Sequence, residues 1–227
     1  MKESLKLDYI TQRLFSIPVH YLQIDNFGAT RDNLIEYSYD LREKDHEGRK
    51  ASNNGGYQSQ PFNVNDSDDI LHRLLINAVS NIPCFRENID IKCDAWVNIN
   101  PPKSFNSKHC HPACDIAGVL WIKIPKNSGD FVFISPYDFL SFVEMHSYTE
   151  EFKKKTNYYH NYIYPPQEGA MLLFPAHLQH RVKENKSNED RISVSFNLKI
   201  LNVESVSYTH LRAHETGRNL VCRLLLE

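Results

Sequence analysis

The chain has 227 residues, 41 % of them hydrophobic, with 12 Tyr, 12 Phe and only 8 Gly, a composition that excludes global disorder. Its formal net charge of −2 is spread without a basic stripe, which excludes an electrostatic case for nucleic acid or an anionic membrane. No run approaches the roughly 20 apolar residues of a membrane span and the N-terminal segment has no continuous apolar h-region, so a cytoplasmic protein is expected.

Residues 206–227 are set aside before the fold is read. From Val206 the run VSYTHLRAHET back-translates without interruption into a transposase-type sequencing-library adaptor, and NLVCRLLLE fits the constant segment after its index. The expectation is read-through, with the native terminus lost upstream. His210, His214 and Cys222 drop out as ligand candidates, and the loss of three arginines and two glutamates moves the net charge to −3. The cysteines that remain are Cys84, Cys93, Cys110 and Cys114, expected as free thiols in a reducing compartment.

Phe15 to Ile24 mixes β-branched and aromatic residues around Pro18, which predicts an edge strand or a strand start. Thr30 is placed to cap a helix through Leu41, with Leu34, Ile35, Ser38 and Leu41 on one face. From Arg42 to Asn65 the chain is polar around Asn53-Asn54-Gly55-Gly56, and a long loop is expected. Asp66 or Ser67 opens the clearest helix: Ile70, Leu71, Leu74, Leu75, Ala78, Val79 and Ile82 recur at helical spacing and form a face that packs on a sheet. His72 falls off that face and reads as a surface residue.

From Ile89 onward the period changes to two. Asp94-Ala95-Trp96-Val97-Asn98-Ile99-Asn100 alternates, and Pro101-Pro102 ends it. Ile116 to Ile124 is an almost unbroken apolar strand and Asp130 to Ile134 another; the turn Lys126-Asn127-Ser128-Gly129 between them reads as a hairpin. Ser135 to Tyr164 is a tyrosine-rich insert with a charged middle, with room for a short helix and a lid. Gly169 to Phe174, His180 to Val182 and Arg191 to Leu198 give three more strands. Helices followed by many short strands predict a mainly β fold with N-terminal helices on one face of a sandwich or barrel.

The chemistry concentrates in Lys108-His109-Cys110-His111-Pro112 and in the segment Phe174 to Val182. Histidines at i and i+2 of an extended strand share a face, and neutral imidazole suits iron, zinc, copper and nickel alike. His109 and His111 therefore read as two transition-metal ligands that need a third from elsewhere. Cys110 and Cys114 leave a structural zinc alternative, His-Cys-His-x2-Cys, although so compact a cluster wraps one ion poorly. Further on, Arg191 and Ser193 share a strand face, where a guanidinium fork and a hydroxyl can grip one carboxylate. Ser195 and Asn197 continue that face, and Ile192, Val194 and Phe196 form the apolar one. The alternative for Arg191 is a surface pair with Glu189 or Asp190. Asn98, on the strand with Trp96 and Asn100, offers a buried amide to a cosubstrate or water, or is a satisfied core asparagine.

The order of these pieces resembles a known pattern. His-x-His-Pro, the apolar strand Gly118-Val119-Leu120-Trp121, Ser128-Gly129-Asp130-Phe131-Val132-Phe133, Gly169-x4-Phe174-Pro175 with His180-x-Val182, and Glu189 to Asn197 together resemble the 2-oxoglutarate and Fe(II)-dependent oxygenases, nearest to their bacterial and phage branch. The likeness spans roughly Ala95 to Asn197.

It implies a double-stranded β-helix, the jelly roll of cupin-like proteins, over residues 89–205, with 1–88 packed on it as part of the same domain. It also implies Fe(II), 2-oxoglutarate and O2, and a dioxygenase that hydroxylates its substrate with release of succinate and CO2. Carried over residue by residue, His109 takes the first metal position, His111 the one usually held by a carboxylate, and His180 the distal one; Arg191 and Ser193, with Asn98 nearby, take the cosubstrate. Asp115, six residues after His109, stays open as the middle ligand. His180 is preferred to His177 because it lies in a strand-like His-Arg-Val. The substrate, a small molecule or a protein side chain, and the oligomeric state are left open. The competing reading is a cupin-like metal-binding or structural module without redox turnover.

Overall fold

The computed structural model describes residues 10–64, 70–80, 82, 89–137 and 142–201. The expected helix start at Asp66 or Ser67, Cys84, and the 206–227 tail lie outside them. In chain order the elements are β1 (His20–Gln23), α1 (Gly28–Lys44), β2 (Asn53–Asn54), β3 (Tyr57–Gln58), β4 (Phe62–Asn63), α2 (Ile70–Ser80), β5 (Ile91–Asn100) and β6 (Phe105–His109). Then come β7 (Ile116–Lys123), β8 (Phe131–Ile134), α3 (Phe142–Ser147), α4 (Glu150–Thr156), β9 (Asn161–Tyr164), β10 (Ala170–Pro175), β11 (His180–Val182) and β12 (Arg191–Ile200). No helix among the described residues is long and apolar enough to cross a membrane.

The strands form two antiparallel sheets. The larger runs β1-β10-β7-β12-β5-β3, with β4 also on β5, and the smaller runs β2-β6-β11-β8-β9. From β5 to β8, and again from β10 to β12, successive strands fall in alternate sheets, so the chain winds around the space between them. This is the double-stranded β-helix. The edge position of β1 matches the reading of Pro18, since a strand beginning beside proline is best placed where one side needs no partner.

Period-two alternation gives the large sheet two different faces. Its outer face carries Val97, Ile99, Leu120, Ile192, Val194 and Phe196, which join Leu34 of α1 and Leu71, Leu75 and Val79 of α2 in one core. Its inner face carries Ala117, Val119, Trp121, Leu172 and Phe174, which meet Phe131 and Phe133 of the small sheet in a second core. The near-continuous apolar run of β7 follows from burial on both faces.

Four local expectations are corrected. Thr30 is not the helix cap: α1 begins at Gly28 after Phe27, and the Thr30 hydroxyl donates back to Phe27 O within the first turn. His72 is buried, 4 % exposed, with its ring edge-on to Phe62 of β4, a strand hidden in the polar stretch. That stretch is no simple loop: β2 pairs with β6 in one sheet and β3 and β4 pair with β5 in the other, so it crosses between the sheets at Gly55 and Gly56. Finally, β7 and β8 are not a hairpin. Both edges of β7 are taken, by β10 and β12, so the chain passes to the other sheet. The Ser135 to Tyr164 insert carries α3 and α4, the latter capped by Thr149 accepting from Phe152 N, before β9 adds to the edge of the small sheet.

Gly118 lies where β7 passes beneath Phe196 of β12, and a Cβ there would run into the Phe196 ring. Gly118→Ala is therefore expected to destabilise the fold by roughly 1–3 kcal/mol, the range for overpacking a close-packed core. A urea denaturation midpoint equal to that of the unmodified chain would show that the core yields at this point.

Candidate metal centre

His109 closes β6 and His180 opens β11, and the two are direct cross-strand partners in the small sheet. Their rings lie 4.3 Å apart between centroids. His111 follows two residues after the end of β6, where its main-chain N–H donates to Ala176 O at 2.9 Å and draws it toward the turn before β11. Its ring centroid is 5.2 Å from that of His109 and 5.1 Å from that of His180. One nitrogen from each of the three lies within 4.8 Å of the others, a spacing that can hold a metal ion.

Tautomer is fixed by what each Nδ1 touches. His109 Nδ1 is 2.7 Å from Ser107 O, and His180 Nδ1 is 3.0 Å from Leu178 O. A carbonyl oxygen only accepts, so in both rings Nδ1 carries the proton and Nε2 keeps its lone pair. His111 Nδ1 lies 2.6 Å from Asn197 Oδ1, which assigns the same tautomer. Burial keeps all three neutral: desolvation pushes His109 and His111 below the usual histidine range and His180 down to about 3. The His180 ring, 3 % exposed, is stacked on Phe131 and edge-on to Phe174. Trp96 stacks on His111 at 5.7 Å.

Other suggested ligands are elsewhere. His177 is exposed in the turn before β11. Asp115, left open as the middle ligand, spends its carboxylate on Ile200 N at 2.8 Å and its main-chain N–H on Leu198 O, clamping the end of β12. Cys110 is exposed and Cys114 donates its thiol to His111 O, so neither enters the cluster and the compact zinc arrangement does not form.

The histidines open on a cavity of about 590 Å³ between the sheets, whose walls include Arg191, Ser193, Ser195, Asn197, Trp96 and Asn98. These residues come from β12 and β5, paired so that Ser193 faces Asn98 and Ser195 faces Trp96. Arg191 is 2 % exposed. Its Nη1 donates to Ser128 O at 2.7 Å and, at 3.4 Å, to Lys183 O, both neutral. The carboxylates suggested for it are engaged otherwise: Glu189 pairs with Lys123, and Asp190 with Arg42 and the Tyr39 hydroxyl. No carboxylate pairs with Arg191 among the described residues, and desolvation pushes its guanidinium down to about 10. A buried cation with neutral neighbours calls for an anion from outside. Asn98 donates to Ser195 Oγ at 3.0 Å while lining the cavity, so its amide is both satisfied and presented.

Sequence reading put Asn197 on the polar face of β12 and Trp96 on the strand of Asn98 but gave neither a role at the metal centre, and it missed the contribution of the polar stretch, from which Arg49, Ser52, Gln58 and Pro61 reach the cavity. For Trp96 and Asn197 a signal existed. Each shares a strand face with a residue already singled out, Asn98 and Arg191 respectively.

Comparison with known proteins agrees with this geometry. A family model described as "Putative 2OG-Fe(II) oxygenase" matches residues 94–197, which contain all three histidines and the polar face of β12 as far as Asn197. The fold is similar to a Pseudomonas putida prolyl-4-hydroxylase, at 14 % identity and TM-score 0.54 over 80 % of this chain and 93 % of that one. It is also similar to the non-heme alpha-ketoglutarate-dependent carbocyclase SnoK from nogalamycin biosynthesis, at 10 % identity and TM-score 0.57 over 87 % and 86 %. HygX from Streptomyces hygroscopicus, solved with nickel and 2-oxoglutarate bound, matches at 11 % identity and TM-score 0.52 over 79 % and 82 %. No curated protein matches the chain. The match over residues 94–197, together with the shared fold, supports the 2-oxoglutarate and Fe(II)-dependent oxygenase superfamily and points to an oxidoreductase. Fe(II) and 2-oxoglutarate are the metal and cosubstrate that the family's description names, and the three histidines are a group that can hold such an ion.

The lowered histidines make metal-free stability pH-dependent. The folded His180 stays unprotonated to about 3 while the unfolded chain takes up a proton near 6.5, so stability is full above the unfolded value and falls with pH through that window. Metal-free protein is expected to lose roughly 2 kcal/mol between pH 7 and pH 5 from His180 alone. Urea midpoints at the two pH values check this, and a His180→Leu variant with an undiminished loss would remove His180 as the cause.

Proposed function

We propose that the chain is an Fe(II)- and 2-oxoglutarate-dependent dioxygenase that hydroxylates a carbon of its substrate, with His109, His111 and His180 holding the iron. Arg191 and Ser193 hold the distal carboxylate of the cosubstrate. The observation that carries this reading is the joint presence, in one cavity, of three neutral imidazoles with free Nε2 lone pairs and a buried guanidinium without a carboxylate partner among the described residues. Bound iron, with 2-oxoglutarate and O2, supplies the oxidising chemistry, the cosubstrate leaving as succinate and CO2 while one oxygen atom goes to the substrate.

The chain's own residues bind, orient and exclude water. With His109, His111 and His180 as its only ligands from the chain, a bound iron would have room for cosubstrate and O2. Arg191 offers a preorganised fork to a carboxylate, and its bond to Ser128 O holds that fork in place. Ser193, two residues along the same face, adds a hydroxyl, and Asn98 borders the same space. Phe131, Phe174 and Val119 wall the cavity with apolar surface that keeps water away. No general base is required of the protein. A metal-holding module without turnover has no use for a buried guanidinium facing the same cavity, which favours the enzyme. A prolyl-4-hydroxylase and a carbocyclase of nogalamycin biosynthesis share the fold, so a protein side chain and a small molecule are both substrates of suitable kind.

Anaerobic addition of Fe(II) and 2-oxoglutarate is expected to give the weak visible charge-transfer band of the chelated cosubstrate. His180→Ala should abolish it. Arg191→Met should raise the 2-oxoglutarate concentration needed by roughly 10- to 100-fold, the worth of about 1.5–3 kcal/mol for a charge-assisted contact. The absence of a band with the unmodified chain, or an Arg191→Met titration identical to it, would sink the assignment.

A further inference from the structure

The three histidines hold their rings by different means. His109 and His180 each donate from Nδ1 to a main-chain carbonyl two residues earlier, Ser107 O and Leu178 O. Those acceptors belong to the backbone and would be present with other side chains at 107 and 178. His111 depends on a side chain 86 residues away: its Nδ1 meets Asn197 Oδ1 at 2.6 Å, the shortest of the three bonds. His111 also lies outside β6, so no ladder fixes its backbone there. Asn197, by contrast, is held on both sides, opposite Asp94 of β5 and Ala117 of β7.

We infer that Asn197 is the positioning residue of this centre, accepting the Nδ1 proton of His111 and thereby aiming its Nε2 lone pair at the point shared with His109 and His180. The inference rests on the reading that the three histidines bind a metal. Trp96 limits the ring on its face by stacking, but a stack leaves rotation in the ring plane free. The hydrogen bond supplies that missing restraint. It also selects the tautomer: an amide turned to present Nδ2 would require a bare Nδ1 and a protonated Nε2, which cannot ligate. Groups that orient a ligating histidine through its second nitrogen are typically worth about 10–100-fold in metal affinity. Here that group is an uncharged amide, so the centre gains orientation without a carboxylate next to the ring.

The test uses the full chain and Co(II) as the probe metal, titrated anaerobically and followed by its visible ligand-field bands. Asn197→Leu, close in volume but without an acceptor, should raise the Co(II) Kd by about 10- to 100-fold and alter the bands. Asn197→Asp, which can accept but not donate, should stay within about 3-fold of the unmodified chain, since it keeps the restraint. Asn197→Ala repeats the measurement if the leucine variant loses its fold by circular dichroism. Folded Leu or Ala variants that bind Co(II) with unchanged affinity and spectrum would overturn the inference, as would an Asp variant as weak as Leu. His180→Ala separates the two levels. If it too binds as the unmodified chain, the metal centre itself fails; if it alone loses Co(II), only the role of Asn197 fails.

Discussion

The register of β12 is the constraint on which the rest of this protein depends. The strand is paired along its length, with β5 on one edge and β7 on the other, from Ile192 to Leu198. Its residues alternate between an apolar outer face and a polar inner face, so a slip of one residue would put Arg191, Ser193 and Asn197 into the helix-covered core and Ile192, Val194 and Phe196 into the cavity. Burial of Phe196 against Gly118 and of Ile192 and Val194 beneath the helices thus fixes where the polar groups point. The same alternation builds the core and the site.

Much of this was legible because strand period and motif spacing are local. β5 and β12 follow from apolar alternation and β7, β8 and β10 from short apolar runs, and the inner face of β12 is written in Arg191, Ser193, Ser195 and Asn197. What escaped has a common physical origin. A turn signal such as Lys126 to Gly129 says that the chain reverses, not which sheet receives it, and the receiving sheet was decided by β10 and β12 occupying both edges of β7. The polar stretch after α1 contains strands of two residues, too short to show any period, yet they pair with β5 and β6 and wall the cavity. His72 was misread for the same reason, since Phe62, the ring it meets, lies in one of them. Asp115 could not be excluded by spacing, because what occupies its carboxylate is the far end of β12.

Electrostatics distinguishes the two ends of the cavity. The histidine end is a set of neutral donors, kept so by burial and by mutual repulsion among rings that cannot all charge at once. The Arg191 end holds one positive charge that costs free energy to bury and is offset only by neutral carbonyls. Asp94 also borders the cavity, but its carboxylate is 40 % exposed and paired with Lys92, so it does little for a guanidinium in the interior. The enclosed charge is therefore positive before any ligand arrives.

That balance bears on how metal and cosubstrate would assemble in the proposed enzyme. Three imidazoles add no charge, so a divalent cation beside Arg191 leaves the cavity strongly positive, whereas a carboxylate ligand would have cancelled part of the metal's charge. A dicarboxylate laid between the two ends would have one carboxylate for the metal and the other for Arg191, and would bring the enclosed charge back toward zero. Each ligand then improves the site for its partner. By linkage the favour is reciprocal: whatever factor the metal adds to cosubstrate affinity, the cosubstrate adds to metal affinity. In the proposed enzyme a neutral triad with a buried guanidinium would thus make the cosubstrate part of what retains the metal, and the orientation of His111 by an uncharged amide would preserve that arrangement where a carboxylate would dilute it.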